Sequence, residues 1–144
     1  MKFPLKDFSN KLEKMIININ NVEYKIIKEL GKGAFGRVVQ VLNKKNNKYS
    51  AIKIISIKEE KNEEIQSFEK EAEILSKFNC DNIVKYYDSS KDDNNIYILM
   101  EYCDGNNLRH FIDKNKNNKS LIKENILYNI IKQICIGIKE ISYF

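Results

Sequence analysis

The sequence is poor in residues on which several classes of chemistry depend. Among 144 residues there are one proline, one histidine and three cysteines. Cys80, Cys103 and Cys135 are odd in number and far apart, which excludes a disulfide scaffold and a CxxC metal site. A reducing intracellular compartment, cytoplasm or nucleus, is the expectation. The lone His110 leaves almost nothing for histidine-based metal binding or nucleophilic catalysis. No apolar run approaches the roughly 20 residues that a membrane helix needs. The first 20 residues are charged and lack both the apolar stretch and the small-residue cleavage site of a secretory signal. Arginine is scarce too, whereas asparagine (19) and isoleucine (23) are abundant, a bias that carries no mechanism of its own.

What is present suits one ordinary domain. Chains near this length bury about 68–70% of the surface they expose when unfolded, and 42% of these residues are hydrophobic. The net charge is +5, but lysine is interleaved with aspartate and glutamate along the whole chain. No basic face is concentrated enough to point to nucleic acid. Asn46-Asn47, Asn94-Asn95 and Asn117-Asn118 read as loop tips.

Hydrophobic spacing then orders the elements. Leu5, Phe8, Leu12, Met15 and Ile16 fall at three- and four-residue steps, with Pro4 just ahead. A short docked helix and a frayed tail both fit that pattern. From Val22 the period changes to that of strands, over Val22–Leu30, Arg37–Leu42 and Tyr49–Ile57. Short connections between them favour an antiparallel meander. A charged helix over Glu59–Phe78 carries Ile65, Phe68, Ala72 and Leu75 as its apolar stripe. Two more strands are expected at Ile83–Tyr87 and Ile96–Met100, joined by a polar loop over Asp88–Asn95. A short helical turn at Leu108–Ile112, a polar loop over Asp113–Ser120 and a helix over Leu121–Ile141 complete the order.

Gly31-Lys32-Gly33-Ala34-Phe35-Gly36 is a GxGxxG motif. In a dinucleotide-binding fold a helix must follow it, so that the helix N-terminus meets the pyrophosphate. Strand-type Arg37-Val38-Val39 follows instead. Two readings remain for the motif alone: a glycine hairpin over a nucleotide, or a hairpin without a ligand. Further along, Ser50-Ala51-Ile52-Lys53-Ile54 puts Ala51 and Lys53 on one strand face and the isoleucines on the other. A lysine in so apolar a strand must be solvated or paired. Glu71, beside Ala72 on the charged helix, is placed to pair with it.

Glycine loop, Ala-x-Lys and helical Glu in this order resemble the eukaryotic protein kinase family. Leu30-Gly31-x-Gly33-x-Phe35-Gly36-x-Val38 looks like the loop that covers ATP, and Ala51-Ile52-Lys53 like the strand lysine motif. Glu71 with Ile74-Leu75 and then Asn82-Ile83-Val84 resembles the family's third helix leading to its fourth strand. Ile96–Gly105 resembles the fifth strand and hinge, and its Met-Glu-Tyr-Cys string is most like the NIMA-related serine/threonine kinases. The resemblance runs from about Val22 to Ile141. It implies an α+β fold, a protein-kinase-like N-lobe with a five-stranded antiparallel sheet and one helix, followed by the first helices of an incomplete C-lobe. Residues 1–20 would be an extension, 21–103 the N-lobe and hinge, and 104–144 the start of a truncated C-lobe.

The resemblance also assigns roles. Gly31, Lys32, Gly33, Ala34, Phe35 and Gly36 would cover the phosphates of ATP. Val38 and Ala51 would sandwich adenine, with the Glu101 carbonyl and the Cys103 backbone reading its edge and Met100 as gatekeeper. Lys53 would hold the α- and β-phosphates, oriented by Glu71. Leu75 and Tyr86 would be core residues of a regulatory spine. Asn107 stands where an acidic residue often meets the ribose, and Cys80-Asp81 where His-Pro is common. ATP with Mg2+ is the implied cofactor and a protein the implied substrate.

Kinase chemistry also needs a catalytic aspartate, an asparagine and an Asp-Phe-Gly aspartate for the metal ions. None of the seven aspartates stands in either context, so no catalytic base and no metal ligand is expected in these 144 residues. The chain by itself is therefore expected to be inactive, its full-length form an ATP-dependent serine/threonine kinase. The alternative is a catalytically dead, kinase-like interaction module. The apolar face over Leu127–Ile141 is expected to favour self-association or a protein partner.

Overall fold

The computed structural model describes residues 15–33, 36–57 and 62–143. Among the described residues nine elements follow in order: strands β1 (Ile16–Ile19), β2 (Val22–Gly33), β3 (Gly36–Asn43) and β4 (Tyr49–Ser56), helix α1 (Asn62–Ser76), strands β5 (Tyr86–Lys91) and β6 (Asn95–Met100), and helices α2 (Leu108–Asn117) and α3 (Glu124–Ile141). All strand pairings are antiparallel, in the order β1-β2-β3-β4-β6-β5.

The sheet has six strands rather than the expected five. The extra one is β1, whose Ile16 had been grouped with an N-terminal helical stripe; the rest of that stripe up to Leu12 lies outside the described residues. Strand wins at Ile16–Ile19 because Ile17 and Ile19 alternate inward and are buried at 6% and 1% exposure. The turn Asn20-Asn21 then joins β1 to β2 with both residues at positive φ (47° and 66°). A two-residue hairpin favours that left-handed pair because its twist matches the strands.

A second correction concerns β5. The strand expected at Ile83–Tyr87 instead starts at Tyr86 and takes in Asp88–Lys91, expected to be loop. Its neighbour Ile83 closes a turn, its N–H donating to the Cys80 carbonyl at 3.0 Å. An edge strand has one row of backbone groups facing water, so polar Asp88, Ser89 and Ser90 fit there. Similarly, α2 runs on to Asn117 through residues expected to be loop.

Two cores hold the sheet. Alternation sends Val39, Val41, Ile52, Ile54 and Leu99 to one face, where they meet Ile17, Ile19, Tyr24 and Ile26 inside the curl of the strands. The opposite face carries Ile55, Ile57, Ile96 and Ile98, covered by Ala72, Ile65, Phe68 and Leu75 of α1. Glu63 and Glu64 in the first turn of α1 complement its dipole. Edge to edge, the Asn20 amide donates to Asp88 Oδ2 at 2.7 Å, tying the β1–β2 turn to β5.

The β5–β6 turn is organised by one carboxylate. Asp92 Oδ1 accepts the N–H groups of Asn94 and Asn95, each at 2.8 Å, and Oδ2 accepts the Tyr97 hydroxyl at 2.8 Å. Burial pushes the carboxyl pKa up, but these bonds outweigh it and hold it below its ordinary 3.8. A depressed carboxylate pKa contributes stability that is complete above the unfolded value and lost as pH falls through the folded one. Asp92→Asn cannot accept the Tyr97 hydroxyl through its amide nitrogen. Its thermal midpoint should lie below that of the parent at about pH 6, and the gap should narrow as the pH falls below the ordinary 3.8 and through the folded carboxyl's lower pKa.

The chain forms two compact units. The first contains the sheet and α1, ending at Lys77 and resuming over Lys85–Tyr102; the second takes Phe78–Val84 and the chain from Cys103 on. Within the second, α3 packs on the 78–84 segment at Gly137, where an added Cβ would sit 3.1 Å from the Asn82 carbonyl oxygen. Gly137 is the one buried residue of that helix.

Candidate functional site

The sheet face that carries the second core also gathers most of the expected site. Val38 lies opposite Lys53 across β3 and β4, and Ala51 opposite Met100 across β4 and β6. Period-two alternation places all four on that face. Glu71 reaches down from α1, and its Oε1 accepts from Lys53 Nζ at 2.6 Å. The lysine side chain is 27% exposed and the glutamate 49%. A pair so open to water adds only about 0–1 kcal/mol to stability. Its consequence is positional: an ammonium on an otherwise apolar strand is held at one place instead of ranging through solvent.

The glycines divide into two kinds. Gly36 faces its own sheet: a Cβ there would overlap the Ile54 carbonyl oxygen, so this glycine is required by the close approach of β3 to β4. At Gly31 an added Cβ would meet nothing within 4 Å, and at Gly33 only the Gly36 carbonyl oxygen at 3.9 Å. Neither has positive φ. Among the described residues nothing demands glycine at these two places, and the space beside them is open. The ladder continues to the Gly33–Gly36 pair, so the motif is the end of a β-hairpin rather than a loop detached from the sheet. Ala34 and Phe35 lie outside the described residues, and Lys32 is exposed at the hairpin end, paired with Arg37 in the ladder.

At the end of β6, Glu101 is fixed at both backbone and side chain. Its N–H donates to the Lys85 carbonyl at 2.8 Å, and its Oε2 accepts from the Lys85 N–H at 3.3 Å. Met100 and Tyr86, paired across β5 and β6, both pack against the second core, as does Leu75 of α1. Tyr102 was missed by sequence reasoning: its ring meets Tyr49 of β4 at a centroid distance of 6.3 Å and a tilt of 56°. Offset or tilted aromatic pairs of this separation are favourable. No short-range signal links residues 49 and 102. Cys103 and Asn107 belong to the second unit. There Asn107 is the N-cap of α2, its Oδ1 accepting the His110 N–H at 2.8 Å. That bond alone accounts for an asparagine at this position.

A curled antiparallel sheet crossed by one helix, with a strand lysine gripped by a helical glutamate, defines the class: the chain belongs to the protein kinase family, and the protein kinase domain matches it over residues 24–142. Among its relatives are NIMA-related serine/threonine kinases. It is 35% identical over 118 residues to serine/threonine-protein kinase Nek3 of Mus musculus, covering 82% of this chain and 22% of that protein. Identity is 33% over 121 residues to the "Probable serine/threonine-protein kinase nek2" of Dictyostelium discoideum, covering 83% and 29% respectively. It is also 33% over 119 residues to Nek5 of Homo sapiens, covering 83% and 16%. The chain thus spans less than a third of the length of these relatives. Among the described residues, no helix is long and apolar enough to cross a membrane.

Proposed function

We propose that this chain supplies the ATP-binding part of a serine/threonine protein kinase that transfers phosphate to protein hydroxyls in its full-length form. The observation that carries this reading is the Lys53–Glu71 pair at 2.6 Å, on the same sheet face as Val38, Ala51 and Met100. Small Ala51 and β-branched Val38 leave that face shallow and apolar, which suits a flat purine. The open space beside Gly31 and Gly33 leaves their backbone free to approach phosphate oxygens. Lys32 and the hairpin end, with Ala34, Phe35 and Gly36, would cover those phosphates. The Glu101 and Cys103 backbone would take the adenine edge, and Asn107 the ribose, on the strength of the resemblance. Mg2+ would neutralise the phosphates when bound. Its ligands and the catalytic base are not among these residues, so the chain by itself is proposed to bind nucleotide without transferring phosphate.

The test uses the lysine itself. An amine held against phosphate is shielded from acylation, whereas an ion pair open to water is not. Limited acylation of the 144-residue chain, read by mass spectrometry, should slow several-fold at Lys53 with millimolar Mg-ATP. The rate at Lys44, paired with Glu23 on the surface, should stay unchanged. Equal Lys53 rates with and without Mg-ATP would overturn the nucleotide reading. A second reading, a kinase-like interaction module, is favoured by α3: Leu127, Ile131, Ile134, Ile138 and Ile141 are each about half exposed. Under that reading Lys53 would be unprotected and the chain would self-associate.

A further inference from the structure

Where β5 and β6 meet the end of their ladder, one backbone bond is replaced by a side chain. Tyr86 lies opposite Met100, and Lys85 and Glu101 are the next residues along. In an antiparallel pair, directly bonded residues exchange two hydrogen bonds, each N–H meeting the other's carbonyl. Lys85 and Glu101 make one of the two: the Glu101 N–H donates to the Lys85 carbonyl at 2.8 Å. The reciprocal bond, from the Lys85 N–H to the Glu101 carbonyl, is not made. The Lys85 N–H donates to Glu101 Oε2 instead, at 3.3 Å. The side chain thus takes the donor that its own carbonyl would have accepted. Among the described residues, no backbone N–H donates to the Glu101 carbonyl.

A backbone N–H is an obligatory donor, and side-chain oxygens compete with main-chain ones for it. Without the carboxylate, the Lys85 N–H would fall to the Glu101 carbonyl, and the ladder would close by one more bond. With the carboxylate in place, that carbonyl is spared. Its direction is set from both sides. The carbonyl shares one planar peptide with the Tyr102 N–H. On the Glu101 side the plane follows the two bonds to Lys85. On the Tyr102 side the ring meets Tyr49 of β4, at the centroid distance of 6.3 Å. The residue just before, Met100, shares its sheet face with Ala51, Val38 and Lys53, so Glu101 stands at the rim of that face.

We propose that the Glu101 carboxylate is a positioning group: by holding the Lys85 N–H, it keeps the Glu101 carbonyl free to accept a hydrogen bond from the 6-amino group of a bound adenine. The inference rests on the nucleotide reading above, and adds to it a role for a side chain that touches no ligand. It also sets a preference. An acceptor fixed in place and bonded to nothing else favours a purine with a donor at position 6. A purine without that donor displaces water from the carbonyl and leaves it unpaired, which is penalised. Glutamate and glutamine both offer the side-chain oxygen that Lys85 needs; alanine does not.

Shielding of Lys53 from acylation on the 144-residue chain gives the readout, with Mg-ATP and with the Mg complex of purine riboside triphosphate. The second nucleotide differs from ATP only in carrying hydrogen in place of the 6-amino group. In the parent chain its half-protecting concentration should be about 5–10-fold above that of ATP, the worth of one hydrogen bond. Glu101→Ala should raise the ATP value to within about twofold of the purine riboside value and leave the latter unchanged. Glu101→Gln should keep the parent ratio. Equal shielding by the two nucleotides in the parent chain would overturn the proposal, and so would a parent-like ratio in Glu101→Ala. An equal loss of both nucleotides in that variant would also overturn it, being the mark of a merely structural role. Absence of any shielding by Mg-ATP in the parent chain would overturn the nucleotide reading and this proposal with it, whereas the other failures leave that reading standing.

Discussion

Gly36→Ala is expected to cost the first unit about 3 kcal/mol or more, whereas Gly31→Ala should stay within about 0.5 kcal/mol of the parent. The two substitutions add the same methyl group to the same motif, five residues apart. They differ in what that group meets. At Gly36 the new Cβ would overlap the Ile54 carbonyl oxygen and come within 3.1 Å of its carbon and 3.2 Å of Ile55 Cα. All three are backbone atoms, so no side chain can rotate aside. The φ of 156° adds to the strain of any L-residue there. Relief would require β3 to separate from β4 at the Arg37–Ile54 pair, which joins the ladder carrying Val38 and Lys53. At Gly31 the methyl group meets open space. Thermal unfolding of both variants checks the contrast. For a unit of this size each kcal/mol moves the midpoint by about 4–8 °C, so the Gly36 variant should fall by well over 10 °C. A similar small change in both would mean that the β3–β4 approach is not tight.

This contrast revises what the glycine motif says. In sequence the three glycines looked equivalent, each permitting close approach to a phosphate. Of these three, Gly31 and Gly33 have no reason for being glycine among the described residues. Gly36 is explained by the sheet, and no local spacing rule distinguishes it from its neighbours because its partner, Ile54, lies 18 residues away in sequence. The Lys53–Glu71 pair, by contrast, was legible in advance. A single charge in an alternating apolar strand needs a counter-charge, and Glu71 was the acidic residue beside the helix's inward-facing Ala72. The strands β2, β3, β4 and β6 were legible for the same reason, since their buried residues alternate.

What was not legible was set by competition between two periods or by position in the sheet. Met15 and Ile16 complete a helical stripe backward and a strand forward, and the choice depends on whether β2 is there to receive them. The Asn-Asn turn was the available clue, since two residues between apolar alternations favour a hairpin. Strand β5 was displaced because Ile83-Val84 is more apolar than Asp88-Ser89-Ser90. Yet an edge position rewards polar residues, and Val84 is left 39% exposed in the second unit. Asn107 shows the opposite ambiguity: one side chain suits both a ribose and a helix N-terminus, and the cap is formed within its own helix at 2.8 Å.

The first core also fixes what the site can tolerate, and Ile52→Ala measures it. Ile52 is 0% exposed and lies on β4 between β3 and β6, in ladder with Val39 and Leu99. Its side chain points away from Lys53 into the curl of the sheet, so the substitution touches no expected nucleotide contact. Truncating a fully buried isoleucine to alanine removes about 2–5 kcal/mol, the upper part of the range applying where the walls cannot collapse. Here the walls are β-branched side chains on hydrogen-bonded strands, Val39, Val41 and Ile26, all at 0% exposure, which resist collapse. A loss of about 3–4 kcal/mol is therefore expected, read as a lower urea midpoint with an unchanged slope. Domains are typically stable by only about 5–15 kcal/mol, so this one change would consume a large share of the margin. A loss under about 1 kcal/mol would mean that the interior relaxes around Ile52.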